Sequence, residues 1–147
     1  MATKQNTGHV GVFYVCYKLT CLGWNVLPTS RNAEGVDIFV YSQDGKRSFG
    51  IEVKTRDGTS KHHRNVEVKN PDCIPAKFWI IVQDSRDEPK TYILKSDEIA
   101  KFANDRCYGK EKKYMVTPSD YAHDKFMEKW ERLGNPSSDD LPDKGRK

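Results

Sequence analysis

The chain has 147 residues, of which 31% are charged and 36% are apolar, and a small excess of Lys and Arg gives a formal charge of +4. This length is that of one domain, and three Trp, seven Tyr and six Phe supply bulky side chains for a core, which excludes wholesale disorder. No apolar run approaches the ~20 residues of a membrane span, and the N-terminus lacks the apolar stretch of a signal peptide. The sequence therefore predicts a soluble, cytoplasmic protein, whose mild positive charge permits an anionic partner.

We expect a single folded domain over residues 1–134, followed by a flexible polar tail over residues 135–147. The tail is rich in Pro, Ser, Asp and Lys, a composition typical of segments that do not pack. The four cysteines form no CxxC pair and are too few for a disulfide scaffold, so we expect reduced thiols in the core. They are Cys16, Cys21, Cys73 and Cys107.

The first long apolar segment covers residues 8–23. Its continuous apolar character predicts a largely buried helix that ends at Gly23, a residue typical of helix C-caps. Its β-branched and aromatic content leaves a strand as the alternative. Residues 24–27 then alternate as a short strand, which stops at Pro28 because proline cannot donate to a strand ladder.

A hairpin is the best-defined local element. Its strands, residues 36–41 and 48–54, are separated by a polar turn that contains Asp44-Gly45, a dipeptide typical of tight hairpin turns. The sequence then predicts a polar loop, a candidate edge strand and a second hairpin. These occupy residues 55–64, residues 66–68, and residues 78–82 with 91–94.

Two helices are predicted near the C-terminus. One begins at Ser96 as an N-cap, with acidic residues in its first turn, and runs through Ala103. The second begins at Thr117, because Pro118 suits the first helical position, and it carries four bulky side chains on one face. They are Tyr121, Phe126, Trp130 and Leu133. This order of elements predicts an α/β or α+β fold, with a mixed central sheet flanked by helices.

Three ionisable residues of the first hairpin are the candidate catalytic residues. Glu52 and Lys54 are two residues apart on one strand, so they face the same side of the sheet, and the hairpin brings Asp37 beside them. Two carboxylates and a main-chain carbonyl suit Mg²⁺, which prefers oxygen ligands and leaves positions for water and a phosphate. Such an ion polarises a phosphodiester, while Lys54 orients the attacking water or offsets charge. The alternative is a charged stripe on the solvent face of the hairpin.

At Gly35-Val36-Asp37-Ile38 and Ile51-Glu52-Val53-Lys54 the chain resembles the PD-(D/E)xK nuclease superfamily. The segments around Gly11 and Gly23-Trp24-Asn25-Val26 are similar to the first helix and strand of its archaeal Holliday junction resolvase branch. The resemblance covers roughly residues 8–95 and implies a restriction-endonuclease-like core. It implies a DNA endonuclease in which Asp37 and Glu52 hold Mg²⁺ or Mn²⁺ and Lys54 assists catalysis. Since many enzymes of this fold dimerise, it also implies a homodimer.

Two positions depart from the family pattern. One is Val36, which replaces the Pro of the family signature, and the other lies in the first helix. Many relatives carry a glutamate in the first helix that completes the metal site, and Val12, after Gly11, stands at the corresponding position. This departure supports an alternative function, that of a catalytically degenerate DNA-binding module on the same fold. The two hypotheses differ in whether Asp37 and Glu52 take up a divalent ion.

Further polar residues are candidate DNA contacts. Ser30, Arg31 and Asn32 precede Asp37 at the expected rim of the site and could bond a phosphate, although an ordinary turn explains them as well. Lys61 and Arg64 belong to a basic stretch that could follow a DNA backbone, and a solvated loop is its alternative. The neighbouring His62-His63, taken with Cys73, lacks the spacing of a structural zinc site.

Overall fold

The computed structural model describes residues 3–30 and 34–137, without the side chain of Lys61. Its regular elements in chain order are α1 (Lys4–Leu22), β1 (Asn25–Pro28), β2 (Ile38–Tyr41), β3 (Ser48–Arg56), β4 (Val66–Val68), β5 (Phe78–Gln83), β6 (Lys90–Lys95), α2 (Ser96–Asp105), β7 (Cys107–Tyr108), β8 (Lys113–Val116) and α3 (Pro118–Tyr121). Short 3-10 turns occupy Lys61–Arg64 and Trp130–Leu133. Both predicted hairpins and the candidate edge strand are present.

A five-stranded mixed sheet with the order β1-β2-β3-β5-β6 forms the centre of the fold. β3 and β5 pair in parallel, and the other neighbours in this sheet are antiparallel. A smaller antiparallel sheet has the order β4-β8-β7. α1 contributes Val15 and Leu19 to the core on one face of the central sheet, while α2 contributes Ile99 and Ala103 to the core on the other. The predicted mixed sheet flanked by helices is confirmed.

α1 is a helix, as predicted, and the alternative of a strand is wrong. The Thr3 side chain accepts a hydrogen bond from the Asn6 N–H at its start, and Gly23 ends it in the left-handed region with φ 101°. The helix is less buried than the sequence predicts, because the side chains of Phe13 and Tyr17 are 66% and 65% exposed. A helix that lies on a sheet buries one stripe along its length, so these two aromatic side chains remain in solvent.

Gly11 lets α1 approach β3 closely. A Cβ atom built at Gly11 would lie 1.8 Å from Oγ1 of the buried Thr55, which faces the helix. No side chain larger than hydrogen fits there unless the strand or the helix moves.

We therefore expect Gly11→Ala to destabilise the fold by about 1–3 kcal/mol, the usual cost of overpacking a core. Gly8→Ala is the matched control, because a Cβ there meets nothing within 4 Å and Ala is the better helix former, worth up to about 1 kcal/mol. Urea unfolding of both variants measures the difference. Thr55→Ala should recover part of the loss in the Gly11→Ala protein, and equal stabilities for the two glycine variants would contradict the close contact.

The predicted helix through Leu133 is wrong beyond its first turn. α3 ends at Tyr121, and Glu128 has φ 54°, a conformation that a continuing helix cannot contain. The intervening chain instead follows the edge of β6, where the Phe126 carbonyl accepts from the Ile93 N–H and the Glu128 N–H donates to the Thr91 carbonyl. The four bulky residues are buried, but they divide between the two faces: Tyr121 and Phe126 lie on the α2 side, Trp130 and Leu133 on the α1 side.

The C-terminal part contains strands that the sequence analysis did not predict. Residues 109–112 form the turn between β7 and β8, and β8 pairs with β4. Beyond them, Pro136 accepts a hydrogen bond from Gln43, and the Ser137 carbonyl accepts one from Arg47. Residues 135–137 of the predicted tail are thus held against the folded body. Residues 138–147 lie outside the described residues.

The prediction of core thiols is wrong for three of the four cysteines. Cys21, Cys73 and Cys107 are exposed, Cys16 is partly buried, and all four thiols are free. Cys21 lies on the open side of α1, and Cys107 lies on the edge strand β7, where neither side chain meets a covering layer. In residues 3–30 and 34–137, no helix has both the length and the apolar character to cross a membrane.

Candidate active site

Asp37 is fixed by the main chain of its neighbours. It lies directly before β2 and not inside the strand, which corrects the predicted start of that strand at residue 36. The Asp37 N–H donates to the Ile51 carbonyl at 2.9 Å, and its carboxylate Oδ2 accepts from the Val53 N–H at 2.8 Å. The Asp37 carbonyl also accepts from the Thr29 N–H at 2.9 Å. These bonds hold the Asp37 carboxylate between β2 and β3.

Glu52 and Lys54 occupy the middle of β3 and form an ion pair, with Nζ 2.7 Å from Oε1. Their neighbours Ile51 and Val53 belong to the core beneath α1, so strand alternation directs Glu52 and Lys54 to the opposite face. There the Glu52 side chain is 10% exposed and that of Lys54 is 28% exposed. The structure therefore brings Asp37, Glu52 and Lys54 together.

A cleft of about 320 Å³ opens beside this group. Its polar and aromatic lining includes Glu34, Glu52, Lys54, Glu67, Asn70 and Trp79. A second cleft, of about 590 Å³, lies between the start of α1 and the end of β3 and shares Lys54 and Glu67 with the first. Lys54 thus stands where the two clefts meet, in reach of a molecule that runs along both.

Burial raises the pKa of the Glu52 carboxyl above its ordinary value of 4.5. The Lys54 ammonium opposes the rise, and the nearby Asp37 carboxylate adds to it. The net direction means that one ammonium does not fully compensate a buried carboxylate beside a second one. A divalent cation at this place would relieve both the desolvation and the repulsion.

The donor set fits a hard divalent ion such as Mg²⁺ or Mn²⁺, which prefers carboxylate and carbonyl oxygens. Asp37 and Glu52 supply two carboxylates, and main-chain carbonyls lie next to them in β3. Within the described residues, no three His, Cys, Asp or Glu side chains come together as a metal-binding group. An ion here would therefore rely on these two carboxylates and on water, which leaves positions for a phosphate.

The raised pKa predicts how stability depends on pH. In metal-free buffer the stabilising effect of a neutral Glu52 is complete below pH 4.5 and is lost as the pH rises through the raised folded-state pKa. Glu52→Gln keeps the side chain neutral, so it should raise Tm at pH 7.5 and have little effect on Tm below pH 4.5. Melting curves in EDTA across this range test it, with Glu67→Gln as an exposed-carboxyl control. A lower Tm for Glu52→Gln at pH 7.5 would show that the ion pair outweighs burial.

Val12 does not face Glu52 and Lys54, although the resemblance places it where relatives carry the glutamate that completes the metal site. Its side chain packs, partly buried, against the core on the α1 face of the sheet. Glu52 and Lys54 project from the other face because residues alternate along β3. Position 12 is thus separated from these two side chains by the sheet itself.

The structure describes only some of the candidate DNA contacts. Ser30 is exposed and follows Thr29, which bonds to Asp37, whereas Arg31 and Asn32 lie outside the described residues. Lys61 begins a 3-10 turn that ends at Arg64. The Arg64 guanidinium donates to the Gly58 carbonyl and to the side chains of two β5-end residues, Gln83 and Asp84. Arg64 therefore ties this turn to the central sheet, and its contact with DNA stays a prediction.

The sheet order and its two helices define the restriction-endonuclease-like fold, which confirms the fold class predicted from the sequence. The chain is similar in structure to a bacterial homing endonuclease, I-Ssp6803I, with a TM-score of 0.61 and 13% identity, over 90% of this chain and 93% of that one. It is also similar to Hjc, a Holliday junction resolvase from Archaeoglobus fulgidus, with a TM-score of 0.47 and 13% identity, over 75% and 90% of the two chains. No family model and no curated protein matches the sequence.

Trp79 lies at the site, which the sequence did not indicate. Trp79 is buried, but it pairs with Glu52 across the parallel strands β3 and β5, and its ring lies beneath Lys54. Period-two alternation in residues 78–82 could have placed Trp79 and Ile81 on one face. The sequence offered no signal for which strand lies beside β3.

Proposed function

We propose that the protein is a metal-dependent DNA endonuclease that hydrolyses phosphodiester bonds. The observation that carries this proposal is the meeting of Asp37, Glu52 and Lys54 at one edge of a cleft, with the carboxyl pKa of Glu52 raised by burial. The restriction-endonuclease-like fold supports it, since the homing endonuclease with which the chain shares this fold is itself a nuclease.

In this mechanism Asp37 and Glu52 would hold Mg²⁺ or Mn²⁺. Such an ion, when bound, would supply a positive charge that polarises a scissile phosphate and makes a nearby water more acidic. The Val53 N–H holds the Asp37 carboxylate in position, so the ligand does not have to be ordered when the ion binds. Lys54 stands beside Glu52, where its ammonium orients the attacking water and offsets the negative charge that develops on the phosphate.

DNA would approach along the two clefts that meet at Lys54. We propose Ser30, Arg31, Asn32, Lys61 and Arg64 as contacts to its backbone, in keeping with the net positive charge of the chain. A homodimer would place two such sites on one duplex and allow both strands to be cut. Residues 1–134 would form the nuclease domain of each protomer.

A second candidate is a DNA-binding module without catalysis. The observation that favours it is the small ligand set, because Asp37 and Glu52 have no third acidic or histidine partner within the described residues. Such a module would bind DNA in a salt-dependent manner and leave it intact.

Plasmid cleavage in Mg²⁺, Mn²⁺, Ca²⁺ or EDTA tests the proposal beside a calorimetric titration with Mn²⁺. A nuclease should take up Mn²⁺ and nick or linearise the plasmid with Mg²⁺ or Mn²⁺ and not with EDTA. Salt-sensitive DNA binding without Mn²⁺ uptake or cleavage would favour the binding module. Sedimentation at assay concentration reports whether the active species is a dimer.

A further inference from the structure

The ring of Trp79 contacts the Lys54 ammonium. The Lys54 Nζ lies 5.4 Å from the centroid of the Trp79 ring, within the range of a cation–π interaction. The same Nζ lies 2.7 Å from the Glu52 carboxylate. Within residues 3–30 and 34–137, these are the two contacts that hold this ammonium, and both come from the pair of residues at one register position of β3 and β5.

Packing alone does not explain an indole at position 79. Trp79 is 6% exposed, and its Nε1 is buried without a hydrogen-bond partner in the described part of the chain. A buried donor without an acceptor destabilises a fold, whereas phenylalanine would fill a similar space without that polar atom. By contrast, the buried Trp130 of the opposite core donates its Nε1 to Glu128. What the indole offers over phenylalanine is the stronger π-face for a cation.

The two contacts of the Lys54 ammonium, with Glu52 and with Trp79, would differ once a metal ion binds. Glu52 is also the proposed metal ligand, so a divalent ion competes with the ammonium for its carboxylate. The ring of Trp79 carries no metal-binding atom, so a divalent ion would not compete with the ammonium for this contact. Without it, the long lysine side chain would be free to leave the reacting phosphate, because its stem has many rotamers.

We infer that Trp79 is a positioning residue, which acts through Lys54 by holding the ammonium over its ring at the reacting phosphate. This inference rests on the proposed nuclease function and adds to it a residue that makes no contact with the metal.

Single-turnover plasmid cleavage by Trp79→Leu and Trp79→Phe tests the inference. Trp79→Leu removes the π-face, so its cleavage rate at saturating DNA should fall about 2- to 30-fold, the range that a cation–π contact allows. DNA affinity in Ca²⁺ and Mn²⁺ affinity should stay at the wild-type level. Trp79→Phe should restore most of the rate, because it keeps an aromatic face in the same place.

A double-mutant cycle separates positioning from general damage. In a Lys54→Ala background, Trp79→Leu should cause no further loss of rate, since there is no ammonium to position. Phe126→Leu is the control: Phe126 lies in the same core as Trp79 and under Lys125 at 4.8 Å, away from the candidate site. It should lower Tm and leave the cleavage rate unchanged. Equal losses from Trp79→Leu with and without Lys54, or an equal rate loss in Phe126→Leu, would overturn the inference.

A spectroscopic measurement keeps the inference testable if Trp79→Leu does not fold. In the wild-type protein the ring current of Trp79 should shift the ε-methylene protons of Lys54 upfield, and Trp79→Phe should reduce that shift. Unshifted ε-protons in the wild type overturn the contact. A wild-type protein that cuts no DNA overturns the nuclease function and the role of Trp79 with it, whereas cutting with an additive cycle overturns the role of Trp79 alone.

Discussion

Asp37→Asn should weaken Mn²⁺ binding by at least about tenfold and slow cleavage by about 10²–10³, the effect of losing one electrostatic group at a reacting centre. The substitution removes the charge of a proposed ligand while it keeps an oxygen where the Val53 N–H donates, at 2.8 Å in the native structure. The fold should therefore remain nearly as stable as the wild type. Mn²⁺ titration, single-turnover cleavage and a melting curve in EDTA measure the three effects.

Asp37→Ala is the companion variant, and it separates the ligand role from the structural one. It removes the acceptor as well as the charge, so the Val53 N–H loses its partner and the fold should lose about 1–3 kcal/mol. Cleavage should be as slow as in Asp37→Asn. If Asp37→Asn binds Mn²⁺ as tightly as the wild type, Asp37 is a structural residue, and the DNA-binding module becomes the better explanation.

The part of the site that lies in one hairpin could be predicted from the sequence. A tight turn fixes the register of the two strands it joins, so the pairing of Ile38 with Ile51 follows from local residues and places Asp37 opposite Glu52. Strand alternation then puts Lys54 on the same face as Glu52. The same argument from a short turn between two strands predicts the second hairpin, in which Ile80 pairs with Ile93.

The contacts between distant segments could not be predicted in this way. The parallel pairing of β3 with β5 joins residues more than twenty positions apart through a segment that has no fixed length or turn type, so nothing local placed Trp79 beside Glu52. The C-terminal aromatic residues follow a helical spacing in the sequence. The edge of β6 nevertheless offers them backbone partners, and tertiary contacts outweigh the weak helix propensity of that segment.

The sequence also left open which residues α1 presents to the sheet. Apolar residues surround this helix on all sides, so the sequence pattern did not identify the stripe that faces the sheet. Gly11 occupies that stripe because only glycine fits against Thr55, and it sets the rotation of the helix about its axis. Phe13 is consequently exposed, and Val12 packs on the core between α1 and the sheet.

Lys54→Ala should slow cleavage by about 10²–10⁴, the range for losing a positioned acid–base or electrostatic group. Metal affinity should stay the same or rise slightly. The ammonium now bonded to Glu52 repels a cation and competes with it for the carboxylate, and both effects end when the side chain is removed. This split between rate and affinity distinguishes a catalytic lysine from a residue that merely builds the metal site.

The melting temperature of Lys54→Ala provides a second test, because the Lys54 ammonium opposes the rise in the Glu52 pKa. Without the Lys54 ammonium, the buried Glu52 carboxylate loses its counterion, so Lys54→Ala should melt at a lower temperature than the wild type in EDTA at pH 7.5. Well below pH 4.5 Glu52 is mostly neutral in both the folded and unfolded states, and the difference should largely disappear. Added Mn²⁺ should also raise the Tm of the variant, by replacing the lost positive charge. Lys101→Ala, an exposed lysine of α2 outside both clefts, is the control and should keep the wild-type rate and Tm. Cleavage at the wild-type rate by Lys54→Ala would exclude Lys54 from the chemistry and leave its ion pair with Glu52 as a structural contact.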